Sequence, residues 1–112
     1  MKVIVLDAAL AELEALPKAE QASITRAIDK LVVVGASLAY PHSSAVQGWE
    51  GSLRELRPRA GRSRWRAFYR RVGDELVVGA IGPEAGVDGA GFRRAVETAR
   101  TRIKAYAEEQ RS

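Results

Sequence analysis

Residues 53–81 read LRELRPRAGRSRWRAFYRRVGDELVVGAI, and this stretch decides the fold. Three runs in it have strand character: 53–57, 65–72 and 75–81, built from Leu, Val, Ile, aromatic residues and arginine. Gly73 and Asp74 separate the last two runs as a tight hairpin turn, and residues 58–61 (PRAG) make a looser turn between the first two. The last run sets Leu76, Val78 and Ala80 against Val77, Gly79 and Ile81. It is apolar on both sides, which predicts a central strand. In the middle run, alternation puts Arg64, Arg66, Phe68 and Arg70 on one side and Trp65, Ala67, Tyr69 and Arg71 on the other. Neither side is cleanly apolar, so the register stays open at this level.

Upstream, residues 3–6 form a short β-rich run ended by Asp7, which is placed to cap a following helix. Residues 8–16 are rich in Ala, Leu and Glu, with Leu10, Leu13 and Leu16 spaced for one helical face. Pro17 breaks that helix and opens a second, whose Ile24, Ala27, Ile28 and Leu31 follow the i, i+3, i+4, i+7 pattern of a buried stripe, and Gly35 stops it. Residues 36–51 show no period and read as a loop. Downstream, a glycine-rich stretch (82–91) leads to a final helix over about 90–109. Phe92, Val96, Ala99, Ile103 and Tyr106 mark its apolar stripe. The expectation is one α+β domain over 1–112 of order β-α-α-β-β-β-α: a small, mostly antiparallel sheet packed against an αα-hairpin and a C-terminal helix.

The composition is that of an ordinary globular domain, 46% hydrophobic and 29% charged. With no cysteine and one histidine, disulfide frameworks, zinc fingers, iron–sulfur clusters and cysteine nucleophiles are excluded. The opening apolar stretch ends at Asp7, too short for a signal peptide or a membrane span, so a cytoplasmic location without membrane contact is expected.

The net charge of +4 conceals a partition. Residues 48–72 hold eight Arg against Glu50 and Glu55, a balance of +6; the remaining residues balance at −2. Arginine supplies 14 of the 18 basic residues, and in this segment it is interleaved with Trp65, Phe68 and Tyr69. A guanidinium grips phosphate bidentately and stacks on bases, where lysine offers a point charge. The segment therefore points to nucleic acid rather than to a merely solvated face. Arg54, Arg59, Arg62, Arg64, Arg70 and Trp65 are the expected RNA contacts. Arg93 and Arg94 on the last helix read as solvated charges or, as the alternative, RNA-backbone contacts.

The order of four motifs resembles the HigB-type toxins of the RelE superfamily, in their phage-derived host-killing branch. They are G-x-x-L…P (Gly35, Leu38, Pro41), L-x-E-L-R (Leu53, Glu55, Leu56, Arg57), W-R-x-F-Y (Trp65, Arg66, Phe68, Tyr69) and A-x-x-x-A-x-x-R…Y (Ala95, Ala99, Arg102, Tyr106). The resemblance covers essentially the whole chain. It implies a RelE-like fold and a ribosome-dependent endoribonuclease that cuts mRNA in the decoding site and inhibits translation. It also implies a helix-turn-helix antitoxin as partner beside the ribosome and mRNA. Arg57 and Arg66 match the arginines that recur in the family's central strands, which puts them at the RNA phosphate. One departure stands out. Where the family carries an aromatic residue and a lysine pair after the last strand, this chain has Ile81-Gly82-Pro83-Glu84-Ala85-Gly86. Either the charge has moved to the arginine-dense strands, or the chain is a catalytically weak RNA- or partner-binding module.

One His, no Cys and no paired acidic motif leave a cofactor-free, metal-independent route: attack of a 2′-hydroxyl on the adjacent phosphate. That reaction needs a base, an acid and positive charge on the phosphorane. Arginine fills the last role and is a poor base. Glu55, His42, Tyr69 and Tyr106 are the candidates for proton transfer, and Arg57, Arg66, Glu55 and Tyr69 form the expected catalytic set. Glu55, between two arginines, reads equally as their ion-pair partner; Trp65 and Tyr69 read equally as residues packed on the helices.

Overall fold

The structure is a computed structural model and describes residues 1–48 and 53–111. Its order is β1 (Lys2–Val5), α1 (Asp7–Glu14), α2 (Lys18–Val34), β2 (Ser43–Ala45), β3 (Arg54–Leu56), β4 (Trp65–Val72), β5 (Glu75–Pro83) and α3 (Gly89–Glu109), with short 3₁₀ turns at Gly35–Ser37 and Pro58–Gly61. The α+β class, the αα-hairpin, the 73–74 turn and the C-terminal helix match the sequence reading. The sheet has five strands in the order β1-β5-β4-β3-β2. All neighbours are antiparallel except β1 and β5, which run parallel.

The fifth strand, β2, was not foreseen. It is three residues of mixed polarity inside the expected loop, and what makes it a strand is its partner: Ser43, Ser44 and Ala45 pair with Leu56, Glu55 and Arg54. Glu50 and Gly51, at the far end of that loop reading, lie outside the described residues. At α1, Asp7 is the first helical residue and makes no cap; Leu6 holds the cap position. The buried face of α1 is Ala9 and Leu13, while Leu10 is 41% exposed.

Two apolar layers enclose the sheet. Leu13, Ile24 and Leu31 of the αα-hairpin pack on Leu56, Ala67, Tyr69, Leu76, Val78 and Ile81. On the other face, Val96, Ala99 and Ile103 of α3 pack on Phe68, Val77 and Ala80. The strict alternation expected along β5 therefore fails at one point: Ala80 joins Val77, and Ile81 joins Leu76 and Val78. The pairing passes from Phe68↔Ala80 to Tyr69↔Val78, leaving Gly79 as the extra residue of a bulge. Only glycine fits there, because a Cβ would stand 2.7 Å from Ile103 Cγ1 and 2.8 Å from the Ala99 carbonyl oxygen.

β1 ends opposite Val78, so β5 has a free edge beyond it. Glu12 of α1 accepts from Ile81 N at 3.1 Å, and Arg102 of α3 donates to the Gly79 carbonyl at 3.1 Å and to Glu12 at 3.0 Å. Backbone groups that would otherwise invite another strand are thus occupied by an ion pair joining both helical layers. Among the described residues, no helix is long and apolar enough to cross a membrane.

Candidate functional site

At the end of the sheet where β3 turns into β4, four charged side chains meet. Glu55 projects from β3 on the side that alternation gives to Phe68. Arg57 Nη1 reaches its Oε1 at 3.0 Å, and Arg66 Nε approaches the same oxygen at 3.4 Å. Glu84, just beyond β5, contributes Oε2 at 3.3 Å from Arg66 Nη2. Glu55 is thus held through one oxygen. All buried side-chain polar atoms among the described residues are hydrogen-bonded, so Oε2 of Glu55, which has no partner, is not fully buried. It belongs to a hollow of 760 Å³ between β2 and α3, lined also by Ser44, Phe92, Arg93 and Glu97.

The two arginines of the family motif are in different physical states. Arg66 is 2% exposed, and all five of its N–H groups are engaged. Besides the two carboxylates, Nη1 donates to the carbonyls of Ser63 (2.8 Å) and Trp65 (3.0 Å), and Nη2 to that of Gly61 (3.3 Å). Burial, and after it the neighbouring Arg57 charge, lower its pKa from the ordinary arginine value, against the pull of Glu55 and Glu84. Arg66 is therefore closed to an RNA phosphate in this arrangement: it has no donor left to give. Charge density along a strand could not distinguish this from an open guanidinium.

Arg57 is open. Its side chain is 18% exposed, Nε donates to the Pro41 carbonyl at 3.0 Å, and Nη2 has no partner among the described residues. The guanidinium lies 5.1 Å from the centre of the Tyr40 ring, itself 72% exposed. It rests on Gly61, whose φ is +92° and where a Cβ would come within 2.5 Å of Nη2. Glycine is required twice over at this position, by conformation and by contact.

The other expected RNA contacts do not form one face. Arg59 and Arg62 are exposed on the turn after β3 and line a cleft against α2 together with Arg57 and His42. Arg54 bonds Ser43 Oγ at 3.0 Å on the opposite sheet face from Glu55 and shares a hollow with Arg70 and Arg71. Arg64 is exposed beside Trp65 and Arg94 in a third depression. Trp65 is half-buried against the αα-hairpin layer. Tyr69 is 1% exposed under the helices and its hydroxyl bonds Ser43 Oγ at 2.5 Å, so the structure does not bring it to the Glu55–Arg57 cluster. Tyr106 lies elsewhere, donating to Glu75 at 2.6 Å. Sequence reasoning missed Tyr40, Gly61 and the pairing role of Glu84. The last appeared only as an unwelcome acid, and the glycine after an arginine-bearing turn was the one available signal for the second.

None of the curated proteins compared matches the chain. The family model described as phage-derived protein Gp49-like (DUF891) matches residues 11–80, which run from the second half of α1 through α2, β2, β3, β4 and most of β5 and include Glu55, Arg57 and Arg66. With more than half of its length matched, the chain belongs to the Gp49-like phage-derived family, a RelE-like family associated with toxin–antitoxin systems.

Proposed function

We propose that the chain is the toxin of a type II toxin–antitoxin system, a HigB-type endoribonuclease that cuts ribosome-bound mRNA in the cytoplasm and is held in check by a helix-turn-helix antitoxin. Family membership supports the toxin role. The observation that carries the chemistry is the Glu55–Arg57 pair, a carboxylate and a guanidinium 3.0 Å apart, each with a polar group unpartnered among the described residues. Glu55 Oε2 takes the proton from a ribose 2′-hydroxyl, whose oxygen forms a bond to the adjacent phosphorus. Arg57 Nη2 carries the charge that builds on the phosphorane. The bond from phosphorus to the 5′-oxygen breaks, and that oxygen takes a proton from His42, the one titratable group of the α2-side cleft that is neither Arg nor Lys. The products are a 2′,3′-cyclic phosphate and a 5′-hydroxyl. Arg66, itself paired with Glu84, holds Glu55 from inside. Positioning by the ribosome supplies the substrate geometry a site this sparse needs.

Induced expression tests the reading. Growth and protein synthesis should stop with the wild-type chain and continue with Arg57→Ala or Glu55→Gln. Unimpaired growth under wild-type expression overturns it. The absence of Lys and Arg between residues 82 and 88, together with the closed state of Arg66, favours a second reading: an RNA- or partner-binding module of the same fold with little cleavage. Arrest that persists in Glu55→Gln with mRNA left intact selects this second reading.

A further inference from the structure

The cleft between α2 and the turn after β3 has a volume of 340 Å³ and gathers Arg26 and Lys30 from α2 with Arg57, Arg59 and Arg62. No Asp or Glu lines it. Arg66 meets Glu55 and Glu84, and Arg102 meets Glu12. Of the cleft's five cations only Arg57 has an acid, Glu55, as partner. The side chains of Lys30 and Arg59 have no hydrogen bond or ion pair among the described residues. Arg26 touches only Ser23 Oγ at 3.5 Å, and Arg62 only the Arg59 carbonyl at 3.1 Å. Glu20, the acid of α2 nearest the turn, accepts instead from Ser63 Oγ at 2.9 Å. Arg57 is paired with Glu55; the other four cations converge without a counter-ion and repel one another, a cost that an anionic occupant removes.

The turn that completes the cleft is strained. Arg59 and Ala60 both have φ of +57°, left-handed conformations that residues with a Cβ rarely adopt. Backbone held in such a state is a common mark of functional segments. Beside the cleft, the Tyr40 ring and the Arg57 guanidinium present an aromatic–cation surface, of the kind on which unpaired bases stack.

We infer that this cleft is a phosphodiester-binding groove that takes the backbone of single-stranded RNA, with a base stacked at Tyr40. The strand then continues past Arg57 to the Glu55 side. Forked guanidiniums beside an open ring suit phosphate and base together, where an acidic peptide would use only the charge. The inference rests on RNA being the substrate, as above, and not on which residues cut it.

The test measures binding of a fluorescein-labelled twelve-nucleotide oligouridine by anisotropy across a series of KCl concentrations. The chains compared are the wild type, the Arg26→Gln, Lys30→Gln double variant, and a Lys104→Gln, Arg111→Gln double variant that loses the same charge elsewhere. Glutamine keeps α2 helical. The cleft variant should bind about tenfold more weakly, with a log–log salt slope shallower by about 0.7 per charge removed, while the α3-end variant binds as wild type. Equal affinity and slope in wild type and cleft variant overturn the inference. So does cleft-dependent binding of polyglutamate by a chain that ignores the RNA, which assigns the cleft to an acidic protein. A wild-type chain that binds oligouridine through the cleft yet leaves ribosome-bound mRNA uncut supports the groove and contradicts the ribonuclease. Cleavage combined with cleft-independent binding does the reverse.

Discussion

Arg57 directly follows β3 and Arg66 lies on the neighbouring β4, yet Arg66 is buried with every donor used and Arg57 ends in an unpartnered Nη2. Their substitutions should therefore separate stability from activity. Arg66→Ala takes the donor from Glu55, from Glu84 and from three backbone carbonyls, and buried polar groups left unsatisfied cost about 1–3 kcal/mol. Urea unfolding should show that loss; a midpoint equal to wild type would mean the network carries no structural weight. Arg57→Ala removes a partly exposed pair and a ring contact, worth about 1 kcal/mol together, and should abolish mRNA cleavage in a chain that remains folded. Gly61→Ala reaches the same group from the backbone side. The added Cβ would displace the Arg57 guanidinium, so cleavage should fall as in Arg57→Ala, with a stability loss of about 1–2 kcal/mol from the φ of +92°. Retained cleavage in Gly61→Ala would show that the seat of the guanidinium is unimportant.

At the scale of elements, α3 is tied to the β4–β5 hairpin by the Tyr106 hydroxyl, which donates to Glu75. That hydrogen bond, first, and burial after it raise the phenol pKa above its ordinary value. The native state therefore holds this proton more tightly than the unfolded chain. Its stabilisation is complete below the unfolded pKa of about 10 and is lost as pH rises through the native pKa. Thermal unfolding at about pH 8 and about pH 10.5 should show a larger drop for wild type than for Tyr106→Phe; equal drops would remove Tyr106 from the alkaline transition. The elements themselves were legible where a period recurs, in the stripe of α2 (Ile24, Leu31), that of α3 (Val96, Ala99, Ile103) and the hairpin at 73–74. β2 was illegible because three residues carry no period and their strand state comes from pairing with β3. The bulge at Gly79 was illegible because a single inserted residue leaves the composition of β5 unchanged while reversing its faces. For the site, the sequence singled out Glu55, Arg57 and Arg66 together. It could not tell which arginine is sealed, since the sealing groups come from residues 61, 63 and 84, and only folding brings them to one guanidinium.

Over the whole molecule, the arginine-dense segment with its +6 balance is distributed to several places. Arg66 goes inside, Arg54, Arg70 and Arg71 share a hollow, and Arg57, Arg59 and Arg62 join Arg26 and Lys30 across from α2. The acids within reach neutralise the sheet end and leave the α2-side cleft bare. A single edge, from the hollow at Glu55 across Arg57 and Tyr40 to that cleft, thus collects a carboxylate, an open guanidinium, an exposed ring and unpaired cations. That is the ground for reading a ribonuclease in a chain whose loop after β5 has no basic residue. The most direct test is primer extension on mRNA held in programmed ribosomes and exposed to purified protein, wild type against Glu55→Gln and Arg57→Ala. The account predicts discrete cuts ending in 2′,3′-cyclic phosphate with the wild type and intact message with both variants. Intact message with the wild type, or undiminished cuts with Glu55→Gln, would contradict it.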